Sequence, residues 1–358
     1  MANPMPEQLI HEVIRRGCVI PAAPLALTPE RRFNPVRQTA LMRYYCEAGA
    51  GGVAVAVHTT QFEIRDPEIG LFEPVMETCA DAIDDCAERL GRPVVKIAGV
   101  VGKTAQACRE AETVVRHGYH AGLLSLSAFS DGTVDEMIDH AEAVAEIIPV
   151  FGFYLQPAVG GRVLPLDFWR RFVRIPNVIA VKIAPFNRYQ TLDVVRAVAE
   201  ESREDDVTLY TGNDDNIIAD LLTPWAVSAG GKRTTLRIRG GLLGQWCVGT
   251  RRAVEILERI HRAWEEGNSI PRELFETHVE LTDVNAALFD AANGFAGVIP
   301  GVHEILRREG LLESIVTLNP NERLSLGQMD EIDRVHRAYP HLFDDEFIAE
   351  NRDRWINS

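Results

Sequence analysis

The chain alternates between short apolar runs and longer segments in which apolar residues recur at helical spacing. The apolar runs are rich in β-branched residues and predict eight strands, at Cys18–Pro21, Val53–Val57, Val94–Ala98, Gly122–Leu126, Val150–Tyr154, Val178–Lys182, Val207–Thr211 and Gly241–Trp246. The segments that follow them predict eight helices, at Asn34–Ala48, Phe72–Leu90, Thr104–His117, Thr133–Ile147, Leu166–Val173, Arg188–Ser202, Asn216–Thr223 and Gly249–Glu266. Strands that alternate with helices pair in parallel through right-handed crossovers. Eight such units predict an α/β fold, a (β/α)8 TIM barrel.

Two segments fall outside this repeat. An alternating stretch after a Gly-Gly turn predicts a small hairpin inserted near residues 228–240, just before the eighth strand. Beyond Gly267 the pattern predicts further helices, at Pro271–Leu288, Val302–Leu312 and Leu326–Ala338, and then a polar tail. The sequence therefore predicts a barrel over residues 1–267 and a C-terminal helical region over residues 268–358 that packs on the barrel.

Charge and composition exclude several classes of function. The net charge of −15 over 358 residues disfavours binding to nucleic acid, whose phosphates would be repelled. Nothing at the N-terminus resembles a signal peptide, and no apolar run reaches the ~20 residues of a membrane span. The six cysteines are scattered without a Cys-x-x-Cys pair, which indicates structural thiols in a reducing compartment. We therefore expect a cytoplasmic protein whose partner is a small molecule.

Polar residues that could carry chemistry follow the predicted strands. In a (β/α)8 barrel, catalytic groups stand at the C-terminal ends of the strands. The candidates at those ends are His58, Thr59, Thr60, Tyr154, Lys182, Asn213, Asp214 and Gln245. Each also has a plain structural alternative: Lys182 could extend its head to water from an apolar strand, and Tyr154 could be a core aromatic with a satisfied hydroxyl.

Taken in order, these strand ends resemble the dihydrodipicolinate synthase/N-acetylneuraminate lyase family of Schiff-base-forming class I aldolases. The matching motifs are Thr59-Thr60, Tyr154-Leu155-Gln156-Pro157, Pro176-Asn177 with the apolar run to Lys182, Gly212-Asn213-Asp214, and the glycine-rich stretch Gly240–Gly244. The resemblance extends from about Gly17 to Leu312. Each motif is weakly specific, but five of them occur in the right order on the right strands.

The resemblance implies a lyase or aldolase that acts on a 2-oxo acid, either pyruvate or a pyruvate-derived aldol, without a metal or cofactor. Lys182 would form the imine, and Tyr154 would transfer protons. Thr59 and Thr60 would donate hydrogen bonds to the substrate carboxylate. The remaining substrate-binding residues would be His58, Asn213, Asp214 and Gln245. Family members associate, so the resemblance also implies a homodimer or homotetramer.

Several positions depart from the family pattern. Where a dihydrodipicolinate synthase carries an arginine after Tyr-x-x-Pro, this chain has Val159, and Phe129 stands where the relay tyrosine is expected. These departures argue against a true dihydrodipicolinate synthase and leave two alternatives open. One is a sugar-acid dehydratase that uses the same imine, and the other is a non-catalytic barrel that binds a 2-oxo acid. A metal-dependent aldolase built on His58, Glu63 and Asp66 is disfavoured, because no second histidine accompanies them.

Overall fold

The computed structural model describes residues 6–267 and 269–357, so residues 1–5, 268 and 358 of the two predicted domains lie outside the described residues. The strands are β1 Val19–Pro21, β2 Gly52–Val55, β3 Val95–Val100, β4 Ala121–Leu124, β5 Val150–Leu155, β6 Val178–Ala184, β7 Thr208–Thr211, β8 Trp225–Ala229, β9 Lys232–Leu236 and β10 Ile238–Leu243. The α-helices are α1 Gln8–Arg16, α2 Pro35–Glu47, α3 Phe72–Leu90, α4 Thr104–Arg116, α5 Val134–Ala145, α6 Leu166–Arg174, α7 Arg188–Glu200, α8 Ile217–Leu222, α9 Thr250–Glu266, α10 Arg272–Leu288, α11 Val298–Arg308, α12 Gln328–Ala338 and α13 Asp345–Asn357.

The described residues form two compact units. The first contains the chain up to Cys18 together with Val95–Leu242. Six strands run through it in the order β3-β4-β5-β6-β7-β10, and every neighbouring pair with a defined register is parallel. All seven residues of β6 are buried, as expected of a parallel strand that is covered on both faces. Parallel pairing through crossover helices is thus confirmed for this unit.

The second unit contains Val19–Val94 together with the described residues from Leu243 onward. It holds β1 and β2, the other two strands of the eight-stranded sheet, and the helices α2, α3 and α9–α13. The boundaries of these units differ from the predicted division at residues 267 and 268, and that division stays a prediction.

The C-terminal segment forms one more helix than the sequence predicted. The predicted polar tail is wrong, because residues 345–357 form the helix α13. Its side chains Ile348 and Trp355 are fully buried, and the Trp355 ring lies 5.8 Å from the ring of Tyr44 on α2. Only two residues of this helix are buried apolar side chains, so the sequence lacks the apolar helical spacing that predicted the other helices.

The predicted hairpin is present, but its position differs slightly. Strands β8 and β9 pair antiparallel and contact α7 of the same unit. The eighth parallel strand begins at Ile238 rather than at the predicted Gly241. The glycines there mark a close approach of two backbone segments, since a Cβ at Gly240 would stand 2.5 Å from the backbone oxygen of Cys18. Within the described part of the chain, the helices are too short or too polar to cross a membrane.

Candidate active site

Lys182 lies near the end of β6 with only 9% of its surface exposed. The β5–β6 register places Phe153 opposite Lys182, and the lysine nitrogen Nζ stands 4.5 Å from the centroid of the Phe153 ring. Burial lowers the pKa of Lys182 to about 8, while the charge of Asp214 acts in the opposite direction. The amine is therefore held in a protein environment that favours its neutral, nucleophilic form.

The aliphatic part of Lys182 packs against Gly212, the residue that follows the neighbouring strand β7. A Cβ at Gly212 would stand 2.6 Å from Cε of Lys182 and 2.8 Å from Cβ of Ala184, closer than real Cβ contacts allow. Glycine is therefore required at this position by the space that the lysine occupies. The sequence marked Gly212 only as part of a family motif, and the structure supplies a physical reason for it.

The Asn213 side chain uses both its amide oxygen and its amide nitrogen in hydrogen bonds to the segments after β6 and β7. Its Oδ1 accepts a hydrogen bond of 2.9 Å from the backbone N–H of Phe186, which has a positive φ of 52° in the turn after β6. Its Nδ2 donates to Oδ2 of Asp220 at 2.9 Å, and Asn213 is fully buried. The amide atoms are thus bonded within the protein. The substrate-binding role predicted for Asn213 rests on the resemblance alone.

Asp220 is the centre of this polar network, which the sequence analysis did not identify. The carboxylate is fully buried, accepts a hydrogen bond of 2.8 Å from the Thr211 hydroxyl and pairs with the Arg188 guanidinium. Asn216 donates a further hydrogen bond of 3.1 Å from the preceding helical turn. The sequence did contain a signal for this network: an aspartate stands four residues after an asparagine in an otherwise apolar helix. The network holds together the loops that follow β6 and β7.

Tyr154 is directed away from Lys182. Adjacent strand residues point to opposite faces, and Tyr154 follows Phe153, whose ring contacts the lysine. The Tyr154 ring lies 5.1 Å from the ring of Trp169 on α6. Its hydroxyl accepts a hydrogen bond of 3.2 Å from the Leu164 N–H, and burial raises its pKa. These contacts match the structural alternative, so the predicted catalytic role rests on the resemblance alone.

The predicted residues after β2 and β10 belong to the second unit. The Thr59 hydroxyl donates to the carbonyl of Ala22 at 2.8 Å, and the Thr60 hydroxyl donates to the carbonyl of Ala23 at 2.7 Å. His58 is half-buried at the start of the same short helical turn, His58–Thr60. Gln245 is 3% exposed and begins the turn that follows β10. The structure therefore brings Thr59 and Thr60 together at the end of β1 and uses their hydroxyls to hold its backbone.

The loops near the departures from the family pattern are also fixed by internal contacts. Arg162, the nearest arginine to Val159, donates hydrogen bonds of 2.6 and 2.7 Å to the carbonyls of Phe129 and Gly132. The Lys103 ammonium lies 4.1 Å from the Phe129 ring centroid. The arginine is therefore used to anchor the loop after β4, and an aromatic cation contact stands where the family has a phenol.

Comparison with known proteins identifies the family. The Dihydrodipicolinate synthetase family matches residues 76–335, so the chain belongs to this family. A curated relative, 4-hydroxy-tetrahydrodipicolinate synthase of Acaryochloris marina, is 25% identical over 193 residues, which cover 53% of this chain and 57% of the relative. The chain thus matches less than two thirds of that relative's length. Members of the family are carbon–carbon lyases, and the predicted enzyme class agrees with this membership.

Solved structures confirm the fold. A monomeric dihydrodipicolinate synthase variant superimposes with a TM-score of 0.72 at 17% identity, covering 91% of this chain and 98% of that one. The N-acetylneuraminate lyase of Fusobacterium nucleatum superimposes with a TM-score of 0.69 at 16% identity, covering 91% of this chain and 99% of that one. The predicted fold class, a (β/α)8 barrel with C-terminal helices, is therefore confirmed.

Proposed function

We propose that this protein is a class I lyase or aldolase in which Lys182 forms a Schiff base with a 2-oxo acid, either pyruvate or a pyruvate-derived aldol. The observation that carries the proposal is the burial of the Lys182 amine at the end of β6, which lowers its pKa to about 8. At pH 7.5, about a quarter of such amines are neutral, against roughly one in a thousand for an ordinary lysine. Family membership supports the same chemistry.

The chemistry follows from the neutral amine. Nζ of Lys182 attacks the ketone carbon, and the resulting carbinolamine loses water to give an iminium ion. In cleavage of an aldol, the C–C bond that breaks lies one carbon beyond the imine carbon. Its electron pair becomes the enamine C=C bond, and the C=N π pair moves onto the iminium nitrogen; bond formation reverses this flow. The Phe153 ring faces the cation that develops on this nitrogen, and such contacts contribute about 0.5–2 kcal/mol.

Proton transfer near the imine requires a group on the lysine side of the sheet. We assign this task to Asp214, which is buried two residues after Gly212, the residue that the Lys182 side chain packs against. Its charge also acts on Lys182 against the effect of burial. The alternative from the resemblance is Tyr154, whose hydroxyl is bonded to Leu164 on the α6 side. A rotation of the Tyr154 side chain would have to break that contact before it could serve the imine.

The test is borohydride trapping of the imine. We expect incubation with pyruvate and borohydride to add the reduced adduct to the peptide that contains Lys182, and Lys182→Met to abolish it. Lys96 is an internal control, because it is another buried strand lysine, 3% exposed on β3, and its peptide should remain unmodified. The proposal is wrong if no member of a panel of 2-oxo acids gives an adduct at Lys182.

The second substrate is constrained by the loops. With Val159 in place of the family arginine and Arg162 bonded to the loop after β4, nothing at these positions supports gripping a second carboxylate. We therefore propose that condensation of pyruvate with aspartate semialdehyde is slow or absent. Turnover of about 1 per second or faster, which is typical of enzymes, would contradict this.

We further propose a cytoplasmic homodimer or homotetramer, as the resemblance implies. Light scattering that shows a 39.8 kDa species at micromolar concentration would contradict the oligomer.

A further inference from the structure

Two cysteines that are distant in sequence are buried on the packed helices α2 and α3. Cys46 lies near the end of α2 and Cys86 near the end of α3, and these helices pack against each other. Both side chains are buried, with 1% and 0% of their surfaces exposed. The Arg89 side chain links their surroundings, because it contacts both Sγ of Cys86 and the carboxylate of Glu47, the residue that follows Cys46. The six cysteines are all free thiols. A free dithiol is therefore built into the second unit.

Charged side chains organise this pair. The Arg89 guanidinium donates a hydrogen bond of 3.3 Å to Sγ of Cys86, and its other nitrogen pairs with Glu47 at 2.9 Å. Arg92 donates to the backbone carbonyl of Cys46 at 2.5 Å. A guanidinium beside a sulfur atom stabilises the thiolate, which is the nucleophilic form. The site thus pairs an activated sulfur with a neighbouring thiol.

The pKa of the Cys86 thiol is lowered and that of the Cys46 thiol is raised. The hydrogen bond from Cys46, together with Arg89, lowers the pKa of Cys86 to about 7. The same contact with Cys86, together with burial, raises the pKa of Cys46 well above the ordinary thiol value. Cys79, on the same helix as Cys86, has its pKa raised to about 12 by burial. The Arg89 guanidinium contacts the sulfur of Cys86, so Cys86 is the attacking sulfur and Cys46 the resolving one.

We propose that Cys46 and Cys86 form a redox-active dithiol, which a hydroperoxide converts into an intramolecular disulfide that joins α2 to α3. The Cys86 thiolate attacks a peroxide oxygen, the O–O bond breaks, and proton uptake yields Cys86 sulfenic acid and an alcohol, or water when the oxidant is hydrogen peroxide. The Cys46 sulfur then attacks the sulfenic sulfur, the S–O bond breaks, and water leaves with the Cys46 proton. Two electrons pass from the two thiols to one peroxide.

The Arg89 side chain separates the Cys86 thiol from solvent. The Arg89 side chain that contacts its sulfur is 43% exposed, so the thiol lies one side chain beneath the surface. Hydrogen peroxide is close to water in size, and movement of Arg89 is sufficient to admit it. Disulfide formation requires the two sulfurs to approach to about 2.05 Å. Both cysteines lie on helices that pack against each other, α2 and α3.

The experiment treats the full-length reduced protein with hydrogen peroxide and maps peptides by mass spectrometry without reduction. We expect a cross-linked pair of peptides containing Cys46 and Cys86 that is lighter by two hydrogens, and its complete loss in Cys86→Ser. Cys46→Ser should instead accumulate a sulfenic acid at Cys86 that dimedone traps. The matched control is Cys79→Ser on the same helix, which should form the Cys46–Cys86 disulfide as fast as the wild type.

A second measurement does not depend on any cysteine variant folding. The rate of Cys86 alkylation in the wild type should rise with a midpoint near pH 7, while Cys79 should stay unreactive across the neutral range. Arg89→Met should move the Cys86 midpoint to higher pH and slow oxidation several-fold at pH 7. Oxidation that pairs Cys79, or that leaves Cys46 and Cys86 reduced while other cysteines react, would overturn the proposal.

Discussion

The Lys182 amine and the Phe153 ring face each other across the β5–β6 ladder, with Nζ 4.5 Å from the ring centroid. The ring offers its negative face to the ammonium and later to the iminium nitrogen. The contact therefore opposes the effect of burial, which alone would push the amine further towards its neutral form. The acidity of Lys182 is a balance between burial, this ring and the carboxylate of Asp214.

Replacing the ring should change that balance. We expect Phe153→Leu to lower the pKa of Lys182 by roughly 0.4–1.5 units, because a cation–π contact contributes about 0.5–2 kcal/mol and one unit corresponds to about 1.4 kcal/mol. The pH dependence of Lys182 acylation measures this without any substrate. Phe151→Leu is the control, because Phe151 packs edge-on against Tyr210 and its loss should leave the midpoint unchanged.

Asp214 should act in the same direction as the ring. Its negative charge raises the pKa of Lys182, so Asp214→Asn should shift the pH profile of imine trapping to lower pH. If Asp214 also transfers protons, the trapping rate at saturating pyruvate should fall at least tenfold. Asp215→Asn is the neighbouring control and should preserve both the midpoint and the rate. A profile for Asp214→Asn that matches the wild type would exclude Asp214 from the site.

Asp220 should be important for stability rather than for chemistry. Removing the fully buried carboxylate leaves the Thr211 hydroxyl and the Asn213 amide without their acceptor, so we expect Asp220→Ala to lower the free energy of unfolding by about 3 kcal/mol. Asp193 is a suitable comparison in the same unit, because it pairs with Arg196 at 3.7 Å with both side chains about one-third exposed or more. Asp193→Ala should cost less than about 1 kcal/mol in urea unfolding. Equal costs for the two variants would contradict a structural role for the network.

Glu309 should make the second unit less stable as pH rises above about 4.5. The side chain is buried, and burial together with Asp344 and Asp345 raises its pKa well above the ordinary value. A carboxyl whose folded pKa is raised adds stability that is complete below about pH 4.5 and is lost as pH rises towards the folded value. Asp344, whose pKa burial also raises, contributes in the same direction, whereas buried His303, with its pKa lowered to about 4, contributes in the opposite one.

A neutral replacement isolates this effect. We expect Glu309→Gln to raise the free energy of unfolding at pH 8 by at least about 1 kcal/mol and to flatten its dependence on pH between 5 and 8. Glu313→Gln is the control at a more exposed position, 36% exposed, and should leave the pH dependence unchanged. Stability of Glu309→Gln that falls with pH as steeply as in the wild type would show that another group carries the titration.

The local sequence pattern was sufficient to predict the class of fold and to single out Lys182. Apolar β-branched runs separated by helical spacing depend only on near neighbours in the chain, so eight parallel strands and the hairpin could be predicted. Lys182 stood out because an ammonium inside an otherwise apolar strand carries a desolvation cost that needs an explanation. The order of motifs along the chain also led to the correct family.

The direction of each side chain was decided only by tertiary contacts. A strand that is buried on both faces has no alternation of polar and apolar residues, so its sequence does not show which side chains point to which face. Only the tertiary structure shows that Tyr154 contacts Trp169 of α6 and that Phe153, on the opposite face, contacts Lys182. The burial of Asp220, the docking of α13 and the burial of Cys46 and Cys86 between packed helices likewise depend on residues far apart in sequence. Their energies come from the desolvation and packing that only the folded chain imposes.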